Sequence, residues 1–142
     1  MPATSLSGDA VTCVGMTEPD AGSAVTDLTT TATPDGNGWR INGVKVFQTH
    51  ASVAEMMLTY VRFGPGVGGI GSVLLERGTP GFEVGPASVF MNGEQWSPLY
   101  FDQCRVHRDQ ILLGPGGFKK QIAGFNVERL GNASRALALG HH

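Results

Sequence analysis

Two cysteines in 142 residues, Cys13 and Cys104, are too few and too far apart for a disulfide framework or a zinc site. A reducing compartment is the default expectation, and no metal site is expected. Charge is sparse as well. Charged side chains make up 15% of the chain, with ten Lys and Arg against twelve Asp and Glu for a net charge of -2. That leaves no basic excess to grip a phosphate backbone, so nucleic acid is not an expected partner. No stretch approaches the roughly 20 apolar residues needed to span a bilayer. The N-terminus lacks the charged-then-apolar pattern of a secretory signal.

Glycine is plentiful, at 21 residues, within a 41% hydrophobic composition. Such a mixture fits short strands joined by many turns better than a helical bundle. Aliphatic residues recur throughout and net charge is small, which argues against disorder. The length suits one domain with a core of its own. Met1-Pro2 reads as an imposed or arbitrary start. His141-His142 is either a tag remnant or native, and no function is assigned to it. Asn132-Ala133-Ser134 matches a glycosylation sequon, but it falls in a helical stretch and is expected to be a chance match.

From Asp9 to about Arg108 the sequence is strand-like. Val11 to Thr17 is rich in β-formers, and Leu28 to Thr33 is a threonine run that strands tolerate. Pro34-Asp35-Gly36-Asn37-Gly38 predicts a turn. Asn42-Gly43, flanked by Trp39 to Ile41 and Val44 to Phe47, carries the strongest short hairpin signal. Met56 to Phe63 and Ser72 to Glu76 pair around a glycine loop, and Phe82 to Val84 with Trp96 to Val106 complete the β part. Seven or eight short strands at this spacing predict a small barrel or sandwich. Beyond Gly114 to Gly117 the pattern turns helical. Phe118, Ile122, Phe125, Leu130, Ala133 and Leu137 recur on one face, with Lys119, Lys120, Gln121 and Glu128 largely off it. A lone helix after an all-β domain has nothing of its own kind to pack on, which points to missing helices.

Gly66 to Gly71 formally matches GxGxxG. In a dinucleotide-binding unit those glycines lead from a strand into a helix. Here the strand-like Ser72 to Leu75 follows, so the match predicts a hairpin loop. Thr17-Glu18-Pro19-Asp20-Ala21-Gly22-Ser23 has a different character. A hydroxyl closes a strand, proline stiffens the exit, and Ala-Gly-Ser lets backbone amides approach a ligand. Read alone, such a segment is more often a plain strand-to-loop turn.

Cys13 to Ser23 resembles the signature of the acyl-CoA dehydrogenases. Gly38 to Thr49 is similar to that family's second segment, usually a hairpin ending Lys-x-Trp/Phe-x-Thr. Gly78 to Phe82, Phe101 to Val106 and Leu113 to Phe118 also match in order and spacing. The resemblance implies a mainly β fold, the small barrel or sandwich of that family, followed by one long α-helix. It further implies that residues 1–113 are the middle β-domain and that 114–142 begin a C-terminal helical domain, the chain being a fragment of a three-part enzyme.

FAD is the cofactor this resemblance implies. Backbone amides of Val14, Gly15, Met16 and Thr17, with the Thr17 hydroxyl, would lie against the flavin. Ser23 would serve the cofactor and the nucleotide side of the acyl-CoA. Phe47 would stack beside the ring, with Gln48 adjoining and Thr49 hydrogen-bonding near N5. Asn126 and Arg129 would meet the substrate. One departure stands out: Ala24 occupies a position where the family commonly has Asp.

In some branches of the family the base that removes the α-proton sits on this helix in a Glu-Arg-Leu context, which maps to Glu128. Most members instead draw it from a later helical bundle. Read from the residues alone, Phe47 is a core aromatic, Thr49 a strand end and Glu128 a solvent-facing side chain. The implied reaction is α,β-dehydrogenation of an acyl-CoA thioester. An electron-transfer flavoprotein would be the acceptor, and the parent a homodimer or homotetramer in the bacterial cytoplasm or the mitochondrial matrix. Flavin monooxygenases or nitroalkane oxidases of the same architecture, and a non-catalytic β-module, are the alternatives.

Overall fold

A computed structural model describes residues 7–8 and 10–141. Met1-Pro2, Asp9 and His142 lie outside the described residues. The strands run β1 (Thr12–Gly15), β2 (Thr31–Asp35), β3 (Gly38–Thr49), β4 (Met56–Arg62), β5 (Ile70–Glu76), β6 (Phe82–Val84), β7 (Ser88–Val89), β8 (Gln95–His107) and β9 (Ile111–Leu113). One helix, α1 (Phe118–Gly140), follows. Two strands were not anticipated, β7 and β9. At two and three residues they are too short to display an alternating pattern.

The strands form one sheet in the order β6-β8-β3-β2-β4-β5-β9, with β1 added on β4 and β7 on β8. Phe82 on β6 and Ile111 on β9 belong to opposite ends of that order, yet both pack on one cluster built from Ile41, Met57, Val61, Val73, Leu75, Leu99 and Phe101. The sheet therefore curls around its own core, as the sequence pattern implied. Cys13 and Cys104 are free thiols in that cluster. Burial pushes both up to about 11, partly offset at Cys13 by Arg77, which leaves them protonated and unreactive.

One edge of β4 is shared between two strands. β1 runs parallel along Met56 to Thr59, and the start of β2, Thr31, meets Arg62. The segment between them, residues 16–30, must leave the sheet and return. Arg62 pins the returning limb by donating to the carbonyls of Leu28 (2.9 Å) and Thr26 (2.6 Å).

The hairpin signal at Asn42-Gly43 is not a hairpin. Both residues lie inside the continuous strand β3, and the chain reverses earlier, at Gly36-Asn37 between β2 and β3. The same local freedom serves a bulge instead. Between the pairs Ile41–Cys104 and Gly43–Phe101, β8 carries one residue too many. Gln103 takes φ 49°, and its backbone and side-chain nitrogens both donate to Asn42 Oδ1, at 2.8 and 3.0 Å. Gly43 has φ 150°, and a Cβ there would lie 2.7 Å from Thr30 Cα. The GxGxxG segment is a loop as expected, a short 3-10 turn at Val67–Gly69 joining antiparallel β4 and β5.

Helix α1 docks by its first turns only. Phe118, Ile122 and Phe125 pack on Tyr60, Ile70, Leu28, Met16 and Val25. Leu130 and Leu137, assigned to the same face by periodicity, are 70% and 67% exposed. Gln121 departs from its expected place too: it is half-buried and donates to Ser72 Oγ at 2.7 Å. No helix among the described residues is long and apolar enough to cross a membrane.

The close approach at Gly43 gives a stability test. Gly43→Ala forces a methyl against the Thr30 backbone at a strained φ and should destabilise the fold by about 1–3 kcal/mol. A thermal-denaturation midpoint unchanged from wild type would contradict this reading.

Candidate functional site

Two segments far apart in sequence are tied together by β3. The Thr17 carbonyl accepts from Val46 N at 2.9 Å and from Gln48 Nε2 at 3.2 Å, and Gln48 Nε2 also donates to the Val46 carbonyl. Lys45 Nζ donates to the Met16 carbonyl at 3.2 Å and to Glu18 Oε1 at 2.7 Å. Both charged groups are buried, with side-chain exposures of 0% for Lys45 and 2% for Glu18. The carboxylate is saturated further. It accepts from Thr29 N at 2.6 Å, Thr29 Oγ1 at 2.8 Å and Thr30 N at 3.0 Å.

Burial works against the Glu18 charge, but Lys45 and the hydrogen bonds from Thr30 and Thr29 outweigh it and lower the carboxyl to about 2. Burial lowers the Lys45 ammonium to about 8, with Glu18 opposing the fall. Both stay ionised at neutral pH.

Immediately after Lys45 the strand bulges. Lys45 pairs with Leu99 and Gln48 with Ser97, so β3 has one residue in excess. Phe47 takes up the excess at φ 62°, a conformation uncommon for a bulky side chain. The bulge turns its ring outward, 54% exposed, where it rests against Trp96 at 4.8 Å between centroids. His50 repeats the left-handed conformation at φ 62° and faces Glu94 at 4.0 Å. Such outliers gather where a backbone is held for a purpose.

These segments and α1 enclose an open cavity of about 520 Å³. Val14, Met16, Thr17, Phe47, Gln48 and Thr49 line one side, and Phe125, Glu128, Asn132 and Arg135 line the other. Six of the eight residues expected against a flavin thus share one wall. Gly15 lies behind it and is buried; a Cβ there would stand 3.1 Å from Leu99 Cδ1 and 3.2 Å from Thr59 Oγ1. Ser23 is exposed on the 16–30 segment and lines none of the described cavities.

Arg129 faces a smaller neighbouring cavity of about 280 Å³ whose floor is Met16, Val25, Ile122 and Phe125. Glu128 and Asn132 line both cavities. Asn126 accepts from Arg129 Nη1 at 2.9 Å and lines neither. Glu128 is exposed and lines both cavities; burial raises the Tyr60 hydroxyl to about 12, and the Glu128 carboxylate adds to that rise.

The sequence reading missed Asn132 and Arg135, although they follow Glu128 at the i+4 and i+7 spacing that marks one helix face. No local signal points to His50 or Glu94. Another cavity, of about 500 Å³, lies between Asp35 to Trp39 and Arg105 to Gln110. There Asp35 is already paired with Arg40 (3.0 Å) and Arg105 (3.4 Å), and His107 contacts Asp109 and Asn37. Its polar groups answer one another rather than a ligand.

The buried pair fixes the acid limb of stability. With Glu18 near 2 in the folded protein and about 4.5 unfolded, its contribution is complete above pH 4.5 and is lost as pH falls toward 2. Stability against unfolding should therefore fall by a few kcal/mol across that window, and Glu18→Gln should flatten the limb. A variant that keeps the wild-type acid profile would refute the assignment.

The family description "Acyl-CoA dehydrogenase, middle domain" matches residues 13–104. An acyl-CoA dehydrogenase of Bacillus subtilis (strain 168) is 34% identical over 138 residues, covering 94% of this chain and 36% of its own length. The solved butyryl-CoA dehydrogenase of Megasphaera elsdenii is 30% identical with a TM-score of 0.76, covering 82% of this chain and 32% of its own. The FAD complex of PigA has the same identity and TM-score, covering 80% and 31%. The chain spans about a third of the length of these relatives. A match over most of the β-sheet, and relatives of similar sequence that share the fold, place this chain in the acyl-CoA dehydrogenase family, with residues 13–104 matching its middle domain.

Proposed function

We propose that this chain is part of an FAD-dependent acyl-CoA dehydrogenase that converts an acyl-CoA thioester to its enoyl-CoA. The observation that carries this reading is the shared cavity, which sets Val14, Met16, Thr17, Phe47, Gln48 and Thr49 opposite Glu128. The residues fit a flavin. The outward ring of Phe47 offers a flat apolar surface for a planar cofactor. Thr17 and Thr49 line the same wall, and Gly15 keeps the strand behind it close-packed. FAD, when bound, supplies a hydride acceptor.

In this reading residues 1–113 are the middle domain and 114–142 begin the next, helical one. Glu128 takes the α-proton of the thioester; its position between the two cavities lets it face cofactor and substrate together. Met16, Val25, Ile122 and Phe125 give the acyl group an apolar floor, and Arg129 stands at its edge to meet the polar part of the substrate. Asn126 orients Arg129 through their 2.9 Å hydrogen bond. Ser23, exposed on its loop, reaches toward the nucleotide portion. An electron-transfer flavoprotein reoxidises the enzyme. The whole protein is a homodimer or homotetramer of the bacterial cytoplasm or mitochondrial matrix.

Glu128→Gln in the full-length enzyme tests the assignment. It should retain FAD and lose acyl-CoA-dependent flavin reduction by at least about a hundredfold, the scale of a lost general base. Near-normal reduction would remove Glu128 from the chemistry.

A further inference from the structure

Among the described residues one cation, Lys45, is fully buried in the interior of the sheet, and the mechanism above makes no use of it. Its ammonium touches two acceptors, the Glu18 carboxylate and the Met16 carbonyl. The Met16 carbonyl accordingly points inward. No described peptide bond is cis, and in a planar trans peptide the N–H points away from the C=O. The Thr17 N–H, which shares a peptide plane with the Met16 carbonyl, therefore points away from Lys45, and Met16 and Thr17 both line the cavity.

We propose that Lys45, held by Glu18, is a positioning residue for the cofactor: it fixes the Met16–Thr17 peptide so that the Thr17 amide faces the flavin. This inference rests on the flavin reading above. Three further observations support it. The next carbonyl, that of Thr17, is fixed by Val46 N and Gln48 Nε2, so one stretch of β3 secures both peptides. Phe47 lies between those anchors, which ties the aromatic and amide parts of the wall to one strand. Gly15, just before Met16, lets this strand sit close against the sheet, since a Cβ there would stand 3.1 Å from Leu99 Cδ1 and 3.2 Å from Thr59 Oγ1.

An apolar residue at 45 could fill the space but could not hold a carbonyl inward. The ammonium needs a counter-charge to remain there, because an unpaired buried charge is strongly destabilising. Glu18 supplies that charge and takes its remaining hydrogen bonds from Thr29 and Thr30, closing the same segment onto itself.

The test uses the full-length enzyme, with FAD as the probe. Three quantities are read: the FAD dissociation constant of reconstituted apoprotein, the flavin midpoint potential, and the thermal midpoint of the apoprotein. Glu18→Gln removes the counter-charge but leaves Lys45, as a neutral amine, able to donate to Met16. It should lower the thermal midpoint and keep the FAD dissociation constant within about threefold. The double variant Glu18→Gln/Lys45→Met removes the donor without stranding a charge. It should bind FAD about tenfold more weakly, the scale of one lost hydrogen bond, and shift the potential downward, with a thermal midpoint no lower than Glu18→Gln.

If the double variant does not fold, Glu18→Gln/Lys45→Leu carries the same expectation, because it too removes the donor without stranding a charge. Wild-type affinity and potential in the donor-less variant would overturn the proposal. So would a loss of affinity that merely tracks thermal stability across all variants. A wild-type enzyme that takes up no FAD would sink the flavin reading itself, before any variant is compared.

Discussion

The edge of β4 is shared by two strands that do not meet, and the chain between them has to be held off the sheet without unravelling it. A loop of that length carries carbonyls and amides that water would otherwise claim. Here they are drawn inward by charge. The Glu18–Lys45 pair sits where the segment leaves β1, and Arg62 holds the limb that returns toward β2. Burying an ion pair seldom adds stability over an apolar pair of the same shape. What it adds here is direction, since it sets which face of the Met16–Thr17 peptide is turned outward.

From that constraint the rest of the site follows. Fixing Thr17 against Val46 fixes the register of β3 just before its bulge, and the bulge sends Phe47 outward while Gln48 turns back into the interior. Helix α1 then closes the opposite side. Its first turns are locked by Phe118 and Phe125 against Tyr60, so Glu128, one turn further on, is delivered to the cavity by a rigid element. On the proposed reading, a base on a helix and a cofactor wall on a strand are both precise supports for chemistry that depends on placement.

Much of this was legible in the amino-acid sequence. The runs Met56 to Phe63 and Ser72 to Glu76 read correctly as a hairpin because apolar strand-formers flank a glycine loop, and most of their residues are buried on both faces. Val14, Met16, Thr17, Phe47, Gln48 and Thr49 could be named together only through family resemblance, since their meeting depends on long-range pairing. Asn42-Gly43 misled because the dipeptide permits a reversal without requiring one; the partner strand, absent from any local window, made it a bulge. Leu130 and Leu137 share the helical period of Phe118 and Phe125, but periodicity does not say how far the sheet extends beneath them. The ion pair was equally hidden, as Glu18 and Lys45 stand 27 positions apart and look like ordinary surface charges.

On the proposed reading this domain carries the flavin wall of an acyl-CoA dehydrogenase. The most direct test of that reading is an anaerobic absorption titration of the full-length enzyme with acyl-CoAs of differing chain length and branching. The account predicts that at least one of them bleaches a bound, oxidised flavin stoichiometrically. A bound flavin that no acyl-CoA reduces, or a full-length protein that binds no flavin, would contradict it.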